Sequence, residues 1–296
     1  MALRVEHCRV TPQESGQKLL SYLKRKMGRD FPDPGLMRLI RTGQVRINKR
    51  RCKPFDRVLA GDIIRIPPHT NSEPALPAPG GPVDIHFSHP DFLVLNKPGN
   101  LPVHSGTGHS DSLVARVRQA FSDQSFPPTP AHRLDKATTG LVLFARSFQW
   151  LEYIHSIWTT ADMHKTYLAW VRGVVDGGWT RMEDNLTRTA HRVKPDTHGK
   201  EARSKFRPIV QRRKMTLLAI SLQTGRTHQI RVQLAQRGMP VMGDVRYGGP
   251  RNQEGVMYLH CFHLAWPGHE FRLPPGWTGR FGTSGIKEIS PNRASL

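Results

Sequence analysis

The chain has 296 residues, room for one catalytic domain of about 200 residues plus a small accessory module, with a core well above marginal size. Its 44 Lys and Arg against 23 Asp and Glu give a formal charge of +21, an imbalance that points to a polyanion, nucleic acid first, because cationic side chains gain by displacing counterions from phosphates. Three widely spaced cysteines, Cys8, Cys52 and Cys261, exclude a paired zinc motif and a disulfide scaffold, and with no apolar run near the ~18 residues of a membrane span and no leader segment, a soluble cytoplasmic protein is expected.

Residues 1–70 hold 16 Lys and Arg against 6 Asp and Glu, so roughly half of the excess charge sits in under a quarter of the chain. Residues 17–27 place Leu19, Leu20, Leu23 and Met27 on one side and Lys and Arg on the other, which predicts an amphipathic helix with a cationic outside. A second helix is predicted from Pro34 to Thr42, stopping at Gly43, followed by a short strand at Val45–Ile47, a turn at Asn48-Lys49-Arg50, and another strand at Ile63–Ile66 closed by Pro67-Pro68. Arg38, Arg41, Arg46, Lys49, Arg50, Arg51 and Lys53 cluster on this unit, as a phosphate-contacting platform or as a solvated face. Residues 1–66, with a helix, then Gly-x-Val-x-Ile-Asn, then Ala-Gly-Asp, resemble the RNA-binding domain named after small-subunit ribosomal protein S-four.

Residues 67–82 are rich in Pro, Gly and Ala and predict an interdomain linker. Beyond it, short apolar runs at Phe92–Leu95, Leu141–Ala145, Tyr167–Val171, Leu217–Leu222 and Met257–Trp266 alternate with helical patterns at 111–121, 147–160 and 228–237. That order predicts a second domain over 83–296 of class α+β, with a mixed, largely antiparallel sheet and flanking helices. The stretch 183–205, with Arg188, Arg192, Lys194, Lys200 and Arg203, reads as a long exposed connection, and 280–296 as a frayed tail.

Three segments carry candidate chemistry. His132-Arg133-Leu134-Asp135-Lys136-Ala137-Thr138-Thr139-Gly140 sets a carboxylate among cations on a turn that opens onto the apolar strand Leu141–Ala145; Asp135 there is either a reactive carboxylate or a turn cap paired with Arg133. Thr224-Gly225-Arg226-Thr227-His228-Gln229-Ile230-Arg231 crowds Arg226, His228 and Arg231 into one turn, where Gly225 allows a tight bend; such a turn holds phosphate or clamps a carboxylate. His164–Gly173 forms a strand with Tyr167 and Ala169 on one face. His260-Cys261-Phe262-His263 groups ligand-type side chains, but neighbours on a strand face opposite sides and no second cysteine pair completes the set, so no metal is expected.

Together with Asn96-Lys97-Pro98, Leu101-Pro102-Val103-His104, Lys165-x-Tyr167-x-Ala-x-Val-x-Gly173, Gly243-Asp244, Arg246-Tyr247-Gly248 and Leu259-His260, these segments resemble the RluA-type pseudouridine synthases. The likeness is greatest to the branch that carries an S-four-like domain and modifies large-subunit ribosomal RNA. It implies the pseudouridine synthase fold, an RNA-uridine isomerase that uses no cofactor, RNA as partner and a chain acting as a monomer. Asp135 would be the essential aspartate, Arg231 its ion-pair partner, Tyr167 the aromatic that stacks on the uracil and Leu259 the apolar wall. Arg133 would fill the gap left by the flipped nucleotide, with His132, Arg226 and His228 lining the substrate site and Lys97 and His104 contacting phosphate. One departure is Thr139, where the family usually has Ser. The competing expectations are an inactive RNA-binding or ribosome-assembly factor and a sister enzyme acting on transfer RNA.

Overall fold

The computed structural model describes residues 4–28, 31–69, 80–105, 111–190, 192–252 and 254–286. Most of the expected linker, 70–79, and the end of the expected tail, 287–296, lie outside them. Among the described residues, no helix is long and apolar enough to cross a membrane.

The basic N-terminal segment consists of β1 (Glu6–Arg9), α1 (Leu19–Lys26), α2 (Asp33–Arg41), β2 (Arg46–Ile47) and β3 (Ile63–Ile66). The strands pair antiparallel in the order β1-β3-β2. Leu19, Leu23 and Met27 are buried as their spacing predicts, and they pack with Tyr22, Leu36, Ile40, Ile64 and Ile66 into a separate apolar cluster. The strand β1 has no signal in the sequence, because Glu-His-Cys-Arg lacks apolar alternation; its backbone pairing to β3, not its side chains, makes it a strand. Glu14 is 1% exposed yet charged by type; it accepts from the Thr11 backbone N–H (3.0 Å) and pairs with Lys26 Nζ at 2.8 Å, as a buried carboxylate must.

The rest of the chain forms β4 (Ile85–Ser88), β5 (Phe92–Lys97), α3 (Leu113–Ala120), β6 (Thr129–Pro130), β7 (Thr139–Ala145), α4 (Phe148–Ile157), β8 (His164–Arg172), β9 (Thr180–Arg188), β10 (Val193–Pro195), β11 (Lys200–Arg212), β12 (Met215–Leu222), α5 (Gln229–Gln236), β13 (Leu259–Trp266) and β14 (His269–Arg272). The 11-stranded sheet runs β10-β9-β11-β12-β8-β13-β7-β5-β4, with β14 added to β13 and β6 to β7. Every pairing is antiparallel except β7 with β13, the α+β arrangement expected. Ser112 and Ser147 cap α3 and α4 by accepting from the backbone N–H groups of Ala115 and Trp150, satisfying donors that a helix start leaves open.

On β8 the pleat divides the side chains. Tyr167, Ala169 and Val171 join the core under α3, α4 and α5, whereas Leu168 and Trp170 face a second cluster with Tyr258, Phe262 and Phe281. Two expectations need correction here. The stretch 183–205 is not an open connection: β9, β10 and β11 occupy most of it, with Met182, Leu186, Ala202 and Phe206 buried on one face and cations on the other. The inward residues are few, alternate with charged ones and include the polar Ser204, so they do not register as an apolar run. Nor does 280–286 fray: Phe281 stacks on Tyr258 at 3.7 Å between centroids and its carbonyl accepts from Trp170 Nε1 at 2.8 Å.

The N-terminal segment touches the larger part at several points along its length. Gln149 Nε2 donates to the Pro12 carbonyl (2.8 Å), Arg25 donates to Thr129 Oγ1 (3.2 Å), and the Arg25 guanidinium lies 4.1 Å from the centroid of the buried Phe126 ring.

Gly140 carries the parallel seam. Its φ is +107°, and a Cβ placed there would lie 2.3 Å from the Cys261 carbonyl oxygen on β13. Gly140→Ala is expected to cost ~2–4 kcal/mol, through both the left-handed backbone and the clash. A urea midpoint equal to that of the parent would show that β7 and β13 do not approach in this way.

Candidate active site

The strands β7, β13 and β8 are neighbours, and their ends deliver the central side chains to one cleft of about 240 Å³. Asp135 lies in the turn entering β7, closed by Thr138 N–H donating to the Asp135 carbonyl (3.1 Å). Leu259 opens β13 and Tyr167 lies on β8; Arg133, Leu134, Trp158, Lys165, Arg226, His228 and Arg231 complete much of the lining.

Arg231, in the first turn of α5, is buried. Its Nη1 donates to Asp135 Oδ2 at 3.1 Å, while Nε and Nη2 donate to Asp244 Oδ2 and Oδ1 at 2.7 and 2.8 Å. The Asp244 pairing is the bidentate fork that fixes a guanidinium in direction as well as position. Burial opposes the charge of Arg231, but the two carboxylates outweigh it and hold the guanidinium pKa above its ordinary value. Asp244 is 3% exposed, and its approach depends on Gly243, whose φ is +82° and where a Cβ would meet the Val256 carbonyl at 1.9 Å.

Tyr167 is buried, and that burial raises the phenol pKa well above its ordinary value, with Cys261 and the Asp135 carboxylate adding to the shift. It is a protonated aromatic surface at neutral pH. Lys165, two residues before, is 4% exposed and donates to the Trp158 carbonyl under the Trp158 ring; burial pushes its pKa down to about 8. Arg133 is exposed at the rim. Arg226, also in the lining, donates through Nε to the Glu201 carbonyl (2.9 Å).

Two expected contacts, Lys97 and His132, sit differently, and His104 lies apart from the cleft. Lys97 is fully buried and its ammonium donates to the carbonyls of Pro98, Leu101 and Lys136 at 2.7, 2.7 and 3.0 Å. It cannot reach phosphate; it ties the strand β5 to the loop that carries Asp135. Burial pushes its pKa down to about 7, with the Asp135 carboxylate acting in the opposite direction. His104 is exposed and outside the cleft lining. His132 lines the cleft, but its Nε2 accepts from the Leu143 N–H (3.0 Å) and its ring stacks on Trp158 at 4.5 Å; burial pushes its pKa down to about 3, so it acts as a neutral brace of the turn.

The bend in the second segment is also made differently. His228 has φ +54° and is the left-handed residue at the start of α5, whereas Gly225 is not among the positive-φ glycines. The turn is secured by Gln229, whose Oε1 accepts from Thr224 Oγ1 (2.8 Å) and the Arg226 N–H (3.0 Å). The ring nitrogens of His260 contact Thr139 Oγ1 and the Leu273 carbonyl at 2.7 and 2.8 Å, and His263 Nε2 contacts Glu270; no group of three or more potential metal ligands occurs among the described residues.

Residues 91–236 match the model of the RNA pseudouridylate synthase family. The chain is 33% identical over 252 residues to the ribosomal large subunit pseudouridine synthase C of Escherichia coli K12, covering 81% of this chain and 78% of that protein. It is 30% identical over 303 residues to the protein of the same name from Haemophilus influenzae, covering 93% and 90%. The chain belongs to the RNA pseudouridylate synthase family. Among solved structures, human RNA Pseudouridylate Synthase Domain Containing 1 shares the fold, with a TM-score of 0.55 at 23% identity over 67% of this chain and 86% of that one.

The fold of this synthase places Lys165 in the cleft lining and brings Asp244 to Arg231 and Tyr247 to His228, none of which their sequence positions announce. Gly243-Asp244 and Arg246-Tyr247-Gly248 are visible as a motif, but nothing in a linear chain tells that Asp244 meets Arg231. Arg231→Met would strand Asp244 without its buried partner, an expected loss of ~3–5 kcal/mol. A urea midpoint within error of the parent would contradict the buried clamp.

Proposed function

We propose that this pseudouridine synthase isomerises uridines in large-subunit ribosomal RNA, with Asp135 as the group that acts on the target nucleotide. The observation that carries this reading is the Asp135–Arg231 pair at 3.1 Å in a cleft walled by Tyr167 and Leu259. A carboxylate so held is rigid yet 19% exposed, reachable by a nucleotide turned out of its helix. In the reaction the N1–C1′ bond breaks, the base rotates, and C5 bonds to C1′; the C5 hydrogen leaves and N1 takes one up. Atoms and charge balance without a cofactor. Asp135 frees the base, either by attacking the target uridine or by taking a proton from its ribose; Tyr167, which keeps its proton, supports the uracil by stacking. Arg133, exposed at the rim, enters the space the uridine vacates, offsetting part of the few kcal/mol that flipping costs. Ribosomal RNA is the substrate by similarity to relatives named for the large subunit, which this chain spans for 78–90% of their length.

The same reading divides the chain into an S-four-like RNA-binding domain over 1–66, a linker over 67–82 and a catalytic domain over 83–296. Arg38, Arg41, Arg46, Lys49, Arg50, Arg51 and Lys53 are all exposed, and Arg46 braces the turn by donating to the Gly43 and Lys49 carbonyls. They supply affinity and leave the chemistry to the cleft.

Release of tritium from C5 of uridine measures turnover directly. The protein is expected to release it from a large-subunit ribosomal RNA transcript, and Asp135→Asn to be slower by on the order of 10³-fold or more. A variant within tenfold of the parent removes Asp135 from the reaction; release from transfer RNA with none from ribosomal RNA overturns the substrate. For the N-terminal cluster, changing Arg38, Arg41, Lys49 and Arg50 together to Gln should flatten the log–log salt dependence of RNA binding by about 0.7–0.9 for each phosphate left without its cation. An unchanged affinity and slope would make those residues a solvated surface only.

A further inference from the structure

Tyr247 sits between the cleft and the sheet edge, and its hydroxyl has two neighbours. The Val193 backbone N–H donates to Tyr247 Oη at 3.1 Å, and His228 Nδ1 lies 2.7 Å from the same oxygen. With the oxygen already accepting from Val193, the phenolic hydrogen needs an acceptor, and among the described residues Nδ1 of His228 is the one within reach. An imidazole whose Nδ1 accepts carries its proton on Nε2. That nitrogen is 3.9 Å from Asp135 Oδ2, the oxygen that Arg231 Nη1 holds at 3.1 Å. The nearest approach of each is therefore to Oδ2: Arg231 donates a hydrogen bond there, and His228 Nε2 lies at 3.9 Å, beyond hydrogen-bond length. The His228 backbone is left-handed, a conformation a non-glycine residue keeps only when its surroundings impose it, and the ring meets Tyr247 edge-on at 5.6 Å.

We propose that Tyr247 is a positioning residue of the isomerisation: it fixes His228 as the Nε2–H tautomer, so that a neutral imidazole and Arg231 together direct N–H donors at Oδ2 of Asp135 and leave Oδ1 as the reacting oxygen. The inference rests on the reading of Asp135 as the reacting group. The charged and titratable groups around His228 are Asp135, Arg231, Arg246 and Asp244. Burial lowers the imidazole pKa foremost, the two arginines act in the same direction and the two carboxylates oppose them, which agrees with a neutral ring. The Arg231 guanidinium also lies 5.0 Å from the Tyr247 ring centroid, a contact that Phe would keep.

The test is kcat and KM on C5-tritiated RNA across pH for Tyr247→Phe, His228→Gln, the double variant, His228→Ala and Asp135→Asn. Tyr247→Phe removes only the hydroxyl, and is expected to lower kcat roughly tenfold, the worth of one hydrogen bond, with KM little changed. Its acid limb should move to higher pH, because Nδ1 is freed to take a second proton. Gln at 228 supplies a neutral N–H that does not titrate, so His228→Gln should outperform His228→Ala, and adding Tyr247→Phe to it should change kcat by no more than about twofold. Equal losses from Tyr247→Phe in both backgrounds, or an unmoved acid limb, would overturn the proposal and reduce Tyr247 to a support for Val193. Should Tyr247→Phe fail to fold, the proposal stands or falls on whether His228→Gln outperforms His228→Ala. Asp135→Asn separates the two readings: normal turnover there sinks the role of Asp135, whereas an inactive Asp135→Asn beside a wild-type-like Tyr247→Phe sinks the tautomer alone.

Discussion

One guanidinium holds the cleft together. Arg231 reaches Asp244 with two nitrogens and Asp135 with a third, so the carboxylate at the surface is located by the carboxylate in the interior. Neither acid alone would suffice. A buried Arg with one exposed partner would leave most of its desolvation cost unmet, and Asp135 without an anchored Arg would be one more flexible surface acid, worth little in energy or geometry. The fork onto Asp244 removes the guanidinium's freedom to follow Asp135, and that fixed geometry suits the role proposed for Asp135, which requires meeting a turned-out nucleotide in a single orientation.

The sheet explains how so few residues from distant parts of the chain arrive together. Asp135 enters β7, Leu259 begins β13 and Tyr167 lies on β8, and these three strands are adjacent with β13 in the middle. The seam between β7 and β13 admits no side chain at Gly140, which brings the Asp135 turn close to Leu259. Behind the turn, Lys97 binds three carbonyls, among them that of Lys136, so the loop bearing Asp135 is tied to β5 as well. Arg25 contacts Thr129 on β6, four residues upstream of Arg133. The N-terminal segment thus bears on the strand that leads into the Asp135 turn.

Much of this is legible in the sequence. Apolar runs locate β5, β7, β8, β12 and β13, and helical patterns locate α3 and α4, because in those elements burial and local propensity point the same way. The strands β9 and β11 are not legible: their inward faces use Ala202 and Ser204 beside Gln233, whose amide joins Ser204 Oγ at 2.7 Å, so a polar layer replaces the apolar stripe that periodicity detects. The site divides in the same manner. Asp135, Arg231 and Tyr167 stand out by motif, whereas Asp244 matters only through a contact 13 residues away that no spacing rule predicts. Lys97 misleads because a lysine near a cleft in a basic chain suggests phosphate, and only the fold shows three carbonyls converging on it.

Conversion of uridine in ribosomal RNA by this cleft is the proposed function. Mapping pseudouridine at single-nucleotide resolution across the ribosomal and transfer RNA of cells with and without the gene tests that most directly. Loss of discrete sites in large-subunit ribosomal RNA, restored when the gene is returned, is the predicted result; an unchanged ribosomal RNA map would contradict it.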